Sequence, residues 1–420
     1  MKWPTARLGD VALVQGGRTP KGLDRWLADN PRSDRDIPFF KVGDMNAGST
    51  LRKSRTLLAR ADLNELRLSA VAVGSVVFPK AGGAIATNKK RSVEMEGPVD
   101  LNCMAVTPGP HLDERFLRLW FESFDLTTIA DGSILPQISK RSVSDLKLPL
   151  PSLDEQRRIV DLLEDRFSRL DAAEAYLRAA GQRLTVIVKS ILLSLIPGES
   201  DYPTNWKRST VDEAGHLSLG RQRHPDWHTG PTMKPYLRVA NVFEDRIDTS
   251  DVMEMHWPDD TFDRFKLEPG DVLLNEGQSP HLLGRPAVYR GIPSDVAFTN
   301  SLLRFKAHDG VLPEFALLVF RRHMHAGRFA RESRITTNIA HLSARRLKPI
   351  EFPIPPVSEQ RAVVDAAREQ LDSVARIKAE LKRSQTHALG LRRSLLAAAF
   401  SGRLTGAASD VSAVGEMIPA

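Results

Sequence analysis

The side chains that could carry chemistry in this chain are mainly cations and amides placed near glycines. In the N-terminal part, Lys80 and Lys89-Lys90-Arg91 flank Gly82-Gly83 and the amide of Asn88, and no acid occurs between positions 79 and 93. Glycines allow a backbone to come close to a phosphate, and neighbouring cations then position the protein on it. This pattern predicts a loop that contacts a phosphate backbone, although an ordinary solvated basic surface would have the same composition.

A second group of cations, dominated by arginine, lies in the C-terminal half. It comprises Arg221-Gln222-Arg223-His224, Arg285, and seven arginines between residues 321 and 346, where Glu332 is the one acid. Guanidinium groups bind guanine or phosphate through two parallel hydrogen bonds, which a lysine cannot make. Each cluster taken singly is also compatible with a solvated basic face, but two such clusters in one chain favour nucleic acid as the partner.

Motifs for catalysis are missing from the sequence. There is no Gly-x-x-x-x-Gly-Lys-Ser/Thr loop, no His-Glu-x-x-His pair, and the single Cys103 cannot build a thiolate metal site. An Asn/Asp-Pro-Pro-aromatic run of the amino-methyltransferase kind and a Pro-Asp followed by Glu-x-Lys of the nuclease kind are absent too. We therefore expect a chain that is not an enzyme and has no cofactor or metal of its own.

Composition narrows the class of protein further. A length of 420 residues predicts two or three domains, and 41% hydrophobic with 26% charged residues is ordinary for a globular protein. The net charge of +7 favours a polyanionic partner only mildly. One cysteine fits a reducing compartment, and we find neither a signal peptide nor a membrane-spanning stretch. The expected location is the cytoplasm, with no membrane contact.

The elements that position these clusters are indicated by a long internal repeat. Pro149–Arg157 returns 204 residues later as Pro353–Arg361, and the register holds to Gly198 and Gly402. After each start, apolar residues recur at alternating spacings of three and four, which is the seam of a coiled coil. Proline marks a helix start and glycine a helix end. The repeat therefore predicts two helices of about 44 residues, each about 65 Å long.

A helix of that length needs a partner for its apolar stripe, and the other copy is the simplest one. If a pseudo-twofold axis relates the copies, the helices run antiparallel and cross near the charged seam positions Glu174 and Lys378. We predict that these two charges face each other, with solvated charges on each helix face as the alternative. Arg392 stands where the first copy has Val188, which leaves open how tightly that part of the coil closes.

The segments that precede the helices consist of short β-branched runs separated by Gly and Pro, with helices expected at 112–122 and 313–325. Weak sequence similarity between the two segments indicates a shared fold with different exposed loops. The expected fold class is α+β, with two mixed α/β head domains joined by two long antiparallel helices. The expected boundaries are a first head at 1–150, a long helix at 151–198, a second head at 199–355, a long helix at 356–403, and a disordered tail at 404–420.

Together these residues resemble the specificity subunit of Type I restriction–modification systems, over nearly the whole chain. The most specific part is the start of the first long helix, 148–160, with its repeat at 352–364. Segments of both heads also look like elements of that family: Gln15–Pro20, Ile37–Met45, Leu135–Ser139, Leu219–Arg223 and Asn275–Ser279.

The resemblance implies two target-recognition domains, each reading one half of a bipartite DNA site, with the paired helices fixing the spacer. It also implies two modification (methyltransferase) subunits that bring S-adenosylmethionine, and restriction subunits that bring ATP- and Mg²⁺-dependent translocation. Contacts to double-stranded DNA are expected at Arg18, Lys80, Asn88, Lys89, Lys90, Arg91, Gln137, Arg221, Arg223, Gln278, Arg285 and Arg334. Docking of partner subunits is expected at Gln156, Arg157, Gln360 and Arg361.

Two other functions remain open. The chain could be a DNA-modifying enzyme with its own recognition heads, but the missing catalytic motifs argue against that function. It could also be a coiled-coil scaffold that binds no DNA, which salt-sensitive and sequence-selective DNA binding would exclude.

Overall fold

The architecture is seen in a computed structural model that describes residues 3–336 and 339–404. These residues form two compact units, one within Met1–Tyr176 and Ser384–Ala420, the other spanning Leu177–Arg383. Each unit therefore holds one head, one part of the first long helix and one part of the second. The tail expected to be disordered falls, from residue 405 onward, outside the described residues.

The first head consists of short strands and short helices. Its strands, β1 to β9, are Thr5–Arg7, Ala12–Gly16, Ile37–Pro38, Thr50–Leu51, Leu57–Leu58, Val76–Pro79, Arg91–Val93, Cys103–Pro108 and Lys147–Pro149. Its α-helices, α1 to α5, are Leu8–Val11, Leu23–Asp29, Arg60–Glu65, Glu114–Ser123 and Lys140–Ser144. The first long helix, α6, spans Leu153–Leu195.

The main sheet of the first head has the strand order β2-β8-β6-β7-β4. The alternating positions of β6 point to two sides, so Val76 and Phe78 face α4 while Val77 joins a second apolar cluster on the other side. Helix α4 begins at an N-cap aspartate, Asp113, whose carboxylate accepts from the N–H groups of Arg115 (2.9 Å) and Phe116 (3.1 Å).

The second head repeats the same order of elements and adds strands. Its strands, β10 to β23, are Lys207–Thr210, Gly215–Leu219, Met233–Leu237, Val242–Phe243, Arg246–Ile247, Met253–His256, Val272–Asn275, Gly277–Gln278, Pro286–Val288, Ala297–Phe298, Leu302–Ala307, Arg334–Thr336, Ile339–His341 and Glu351–Ile354. Its α-helices, α7 to α11, are Val211–Ala214, Asp259–Phe265, Pro313–His325, Arg328–Glu332 and Ala344–Leu347. The second long helix, α12, spans Val357–Phe400.

The main sheet of the second head has the order β11-β20-β16-β18, which repeats β2-β8-β6-β7 of the first. In both heads a strand near the start pairs antiparallel with the strand just before the long helix, β1 with β9 and β10 with β23. Both also place one helix, α4 or α9, after the central strand of the sheet. The prediction of two heads with one shared fold is confirmed by this repeated order.

The long helices are anchored by packing into the head cores of each unit. In the first unit, Val160, Leu163 and Phe167 of α6 share one buried cluster with Leu395 and Leu396 of α12. In the second unit, the later part of α6 and the earlier part of α12 do the same, through residues such as Leu184, Val188, Leu192, Ala367 and Val374. The start of α6 therefore meets the end of α12 and the end of α6 meets the start of α12, as antiparallel helices require.

The two helix ends differ from the sequence expectation in one respect. Gly402 ends α12 with a positive φ of 75°, and the N–H groups of Gly402 and Arg403 donate back to Ala399 and Ala398. Gly198, by contrast, has extended backbone (φ −72°), and α6 has already ended at Leu195, two residues before Pro197. Proline cannot continue a helix, so it terminates α6 without a glycine cap.

Candidate nucleic-acid interface

The loops that carry the predicted DNA contacts of the first head leave one end of its main sheet. The antiparallel register places Gly16 opposite Met104 and Pro79 opposite Cys103, so the end of β2, the start of β8 and the end of β6 lie together. Arg18 and Lys80 follow β2 and β6, and Arg91 starts β7 at the same end. Gln137 joins them through a β-bridge to Ala81. We call this region the first reading end.

The second head brings its predicted contacts to the equivalent end of its sheet. Leu219, the last residue of β11, lies opposite Leu303, and Asn275, the last of β16, lies opposite Leu302. Arg221 and Arg223 follow β11, Arg285 directly precedes β18, and Gln278 lies in β17 just beyond β16. Arg334 starts β21 of the small sheet β17-β22-β21, and its side chain lies outside what the structure describes. We call this region the second reading end.

Several side chains of the first reading end are open to a ligand. Arg18 and Gln137 are exposed, and Lys80 is half-buried. One guanidinium nitrogen of Arg18 lies 3.4 Å from the carbonyl oxygen of Arg67, a long contact that leaves most of its donors unused by that bond. The Lys89 ammonium contacts the amide oxygen of Asn46. These residues form the part of the predicted set that a nucleic acid could reach.

Other members of the first set hold the protein together. The side-chain oxygen of Asn88, which has a positive φ of 52°, accepts from the N–H of Leu126 (3.0 Å). The Lys90 ammonium donates to the carbonyl of Phe124, and burial lowers its pKa to about 8. Arg91 donates to the carbonyls of Met45 (3.0 Å) and Lys90 (2.8 Å). Direct DNA contact by Lys90 and Arg91 is therefore less favoured than the sequence indicated, because both cations are engaged by backbone carbonyls.

Arg221 is part of the core of the second head. It is 8% exposed, its guanidinium lies 3.8 Å from the ring of Trp227 and 4.8 Å from that of Trp257, and it donates to the carbonyl of His256 (3.0 Å). Burial between the two indoles lowers its pKa. A residue this enclosed has little accessible surface to support the predicted contact with DNA. Arg223, two residues later, is exposed, with its guanidinium 5.5 Å from the ring of Tyr236.

Arg285 shares an aromatic ring with a cation that sequence reasoning missed. The guanidinium carbons of Arg285 and Arg246 lie 4.6 Å and 4.5 Å from the ring of Phe243. The buried Nε of Arg285 has no hydrogen-bond partner among the described residues. Arg246 lies on a neighbouring hairpin about forty residues away in sequence, so no local pattern could have paired the two. Two cations therefore lie on one ring, and Arg246 also donates to the carboxylate of Asp248 (3.1 Å).

Three of the seven arginines after residue 320, namely Arg321, Arg322 and Arg328, are paired with acids that are distant in the sequence. Arg321 donates to Glu244 (2.8 Å), and Arg328 donates to both carboxylate oxygens of Glu351 (2.9 and 3.2 Å). Burial would raise the pKa of Glu244, but the hydrogen bond from His325 and the charge of Arg321 outweigh it and hold that pKa at about 2. Much of this cluster is therefore structural, although the local sequence contains one acid.

The predicted docking residues divide into buried and exposed members. Gln156 is fully buried: its side-chain oxygen accepts from the N–H of Asp113 (2.8 Å), and its amide nitrogen donates to the carbonyls of His111 (3.0 Å) and Pro151 (2.9 Å). The bonds to Asp113 and His111 join the start of α6 to the segment at the N-cap of α4, and the bond to Pro151 holds the turn that leads into α6. Docking by this buried glutamine is a correction, because its side chain has no surface to offer a partner.

Gln360 makes the same three bonds in the second unit. Its oxygen accepts from the N–H of Leu312 (2.8 Å), and its nitrogen donates to the carbonyls of Gly310 (2.7 Å) and Pro355 (2.8 Å). Docking by Gln360 is corrected for the same reason. We call the two arrangements the glutamine latches. Arg157 and Arg361, the residues that follow, are exposed and remain accessible to a partner.

The comparisons with known proteins agree with this geometry. Residues 1–176 match the family described as the Type I restriction modification DNA specificity domain. The StySPI specificity subunit of Salmonella potsdam is 21% identical to this chain, over 96% of this chain and 89% of its own length. Residues 1–176 are thus similar to that domain family, and the chain is similar to Type I specificity subunits. The EcoKI specificity subunit of Escherichia coli strain K12 is 20% identical, over 67% of this chain and 62% of its own length.

Solved structures support the fold of this chain. A chain from a study of complex assembly and conformational transition of the type I R-M system aligns with a TM-score of 0.71 and 17% identity, over 96% of this chain and 98% of that one. The HsdS subunit from Thermoanaerobacter tengcongensis aligns with a TM-score of 0.51 and 18% identity, over 96% and 97%. Within the described part of the chain, no helix is both long and apolar enough to cross a membrane.

Proposed function

We propose that this chain is a specificity subunit that recognises double-stranded DNA at a bipartite site, with each head reading one half and without catalysing a reaction itself. The observation that carries the proposal is that two heads of one fold gather cations and amides at equivalent sheet ends while using different side chains there. A common scaffold with different loops is what two different half-sites require. Exposed arginines and glutamines at these ends are the side chains that pair with guanine and adenine edges.

The latches support the second part of the proposal, that the paired helices act as the spacer. Reading two half-sites at a fixed separation requires that each reader keeps its orientation on a rigid element. Each glutamine latch joins a head to its long helix through two hydrogen bonds and holds the turn before the helix with a third, so head and helix start move as one body. The predicted contact of Glu174 with Lys378 joins residues of different units and stays a prediction.

Partner subunits supply the chemistry in this proposal. Two modification subunits with S-adenosylmethionine would dock beside Arg157 and Arg361, and restriction subunits would add ATP- and Mg²⁺-dependent activity. The expected location remains the cytoplasm. The competing proposal of an enzyme with its own heads predicts methyl transfer to DNA by this chain alone, which a radiolabelled methyl-donor assay measures directly.

Mapping methylated adenines in DNA from cells that carry this chain and its modification partners tests the proposed function. We expect two short, different half-sites separated by a constant number of unspecified base pairs. One uninterrupted site, or methylation that does not depend on this chain, would contradict the proposal.

A further inference from the structure

A loop at the first reading end holds two large apolar side chains in solvent. Ile134 is 100% exposed and Leu135 is 71% exposed, in the sequence Gly132-Ser133-Ile134-Leu135-Pro136 between Asp131 and Gln137. Single exposed apolar residues are common on protein surfaces. Two neighbouring apolar side chains that are both exposed at a loop tip, next to the first reading end, are not explained by packing.

The loop is held in one conformation by its own hydrogen bonds. The N–H of Asp131 donates to the carbonyl of Gln137 (2.9 Å), and one carboxylate oxygen of Asp131 accepts from the N–H of Gln137 (2.8 Å). The hydroxyl of Ser133 lies 2.8 Å from that carboxylate oxygen and 2.7 Å from the carbonyl of Leu135. Pro136 restricts the backbone further. The two apolar side chains are thus displayed by a closed, pre-formed loop.

The same loop is fastened to the cationic segment of the first reading end. The N–H of Gly82 donates to the carbonyl of Pro136 (2.8 Å), and the N–H of Ile138 donates to the carbonyl of Lys80 (2.8 Å). On its other side the chain continues into Lys140 and Arg141, which are both exposed. Cations therefore lie on the segment bonded to the loop and on the segment that follows it in sequence, which is an arrangement suited to a polyanion and unsuited to a purely apolar partner.

We propose that Ile134 and Leu135 form a wedge that enters DNA between neighbouring base pairs of the half-site read by the first head. The inference rests on the proposed function. Apolar wedges of isoleucine and leucine unstack a base step and kink the duplex, while flanking cations hold the phosphates on either side. Because flexible pyrimidine–purine steps unstack most easily, the wedge reads sequence through deformability without a hydrogen bond to a base.

The test uses the complete complex of this chain with its modification partners and a duplex that contains the mapped site. 2-Aminopurine placed along the first half-site reports unstacking, and fluorescence anisotropy reports affinity for the specific and for a scrambled duplex. The variant is Ile134→Ser with Leu135→Ser. The matched control is Val73→Ser, since Val73 is also exposed (56%) in the same head but precedes β6 at the opposite end of the sheet. Ile134→Val with Leu135→Met tests whether apolar bulk alone restores the signal.

We expect the serine variant to lose the 2-aminopurine signal and about tenfold or more of the specific affinity, in the range of one lost base-step contact. Binding to the scrambled duplex, thermal stability and complex assembly should stay unchanged, and the control and the Val/Met variant should behave as wild type. An unchanged signal, a fall in affinity without loss of the signal, or loss of complex assembly would each overturn the wedge. If the wild-type complex itself shows no sequence-selective binding, the proposed function fails instead.

Discussion

The two heads share a frame and differ at their reading ends. Both have the sheet order that begins β2-β8-β6-β7 or β11-β20-β16-β18, and both are joined to a long helix by a glutamine latch. At the first reading end, Lys90 and Arg91 are engaged by backbone carbonyls, and an apolar loop tip is exposed. At the second, arginines are stacked on aromatic rings. The difference indicates that the frame is constrained by geometry, while the reading ends are free to change.

The two heads also differ in a hydrogen bond next to the glutamine latch. In the second unit the indole N–H of Trp206 donates to Glu359 (2.8 Å), directly before Gln360. In the first unit the buried indole nitrogen of Trp3 has no partner among the described residues, and the equivalent acid, Glu155, lies 3.7 Å from Arg158. The second head therefore has an indole hydrogen bond to its long helix that Trp3 does not make in the first head.

The latches should give the largest effects and should be equal in the two units. Replacing Gln156 or Gln360 by alanine removes three hydrogen bonds and leaves the carbonyl of the buried Pro151 or Pro355 without its side-chain partner. We expect each variant to lower the free energy of unfolding by about 3–5 kcal/mol, measured by urea denaturation. Gln137→Ala, at an exposed glutamine, should stay within about 0.5 kcal/mol of wild type. If Gln156→Ala left the free energy of unfolding unchanged while Gln360→Ala lowered it, the idea that both heads are joined to their helices in the same way would be refuted.

The stacked arginine should distinguish the second reading end from the first. Arg221→Ala removes the cation from between Trp227 and Trp257 and should lower the free energy of unfolding by about 2–3 kcal/mol. Arg221→Lys should not restore it, because an ammonium cannot stack as a guanidinium does. Arg223→Ala is the control: we expect unchanged stability and weaker binding to one half-site. Full rescue by lysine would show that charge alone matters at this position.

The extra hydrogen bond of the second frame predicts an asymmetric pair of variants. Glu359→Ala should lower the free energy of unfolding by about 1–2 kcal/mol, because the buried indole N–H of Trp206 loses a charged acceptor. Glu155→Ala removes a partly exposed ion pair and should cost less than about 0.5 kcal/mol. Thermal and urea unfolding of the two variants side by side provide the measurement, and equal losses would contradict the asymmetry.

Lys90 should give an effect that is visible as a pH dependence of stability. Burial lowers the pKa of Lys90 in the folded protein to about 8, below its ordinary value of 10.5. The unfolded chain therefore binds more protons than the folded chain between these values, and stability contributed by this residue rises as the pH increases from about 8 to 10.5. Lys90→Met should remove that rise when urea denaturation is compared at pH 7.5 and pH 10. An identical pH profile for wild type and variant would show that Lys90 is not desolvated.

The two long helices could be predicted from the sequence because they depend on local patterns. Heptad spacing and flanking prolines predicted the helices now seen as Leu153–Leu195 and Val357–Phe400. The reading ends were predicted less well, because the fate of a cation depends on residues far away in the chain. Arg321 donates to Glu244, and the guanidinium of Arg221 lies over the ring of Trp257, although the partners in each pair are far apart in the sequence. The latches were misinterpreted as docking residues because a glutamine in a repeated motif gives no sign of whether it is buried.

The central claim is that latched helices fix the separation of two readers, and the length of the helices tests it most directly. A seven-residue insertion after Glu174 combined with one after Lys378 preserves the heptad seam and lengthens both helices by about 10 Å. At 3.4 Å per base pair, mapped methylation sites should keep both half-sites and gain about three base pairs of spacer. An unchanged spacer, in a variant complex that still methylates DNA, would contradict the account.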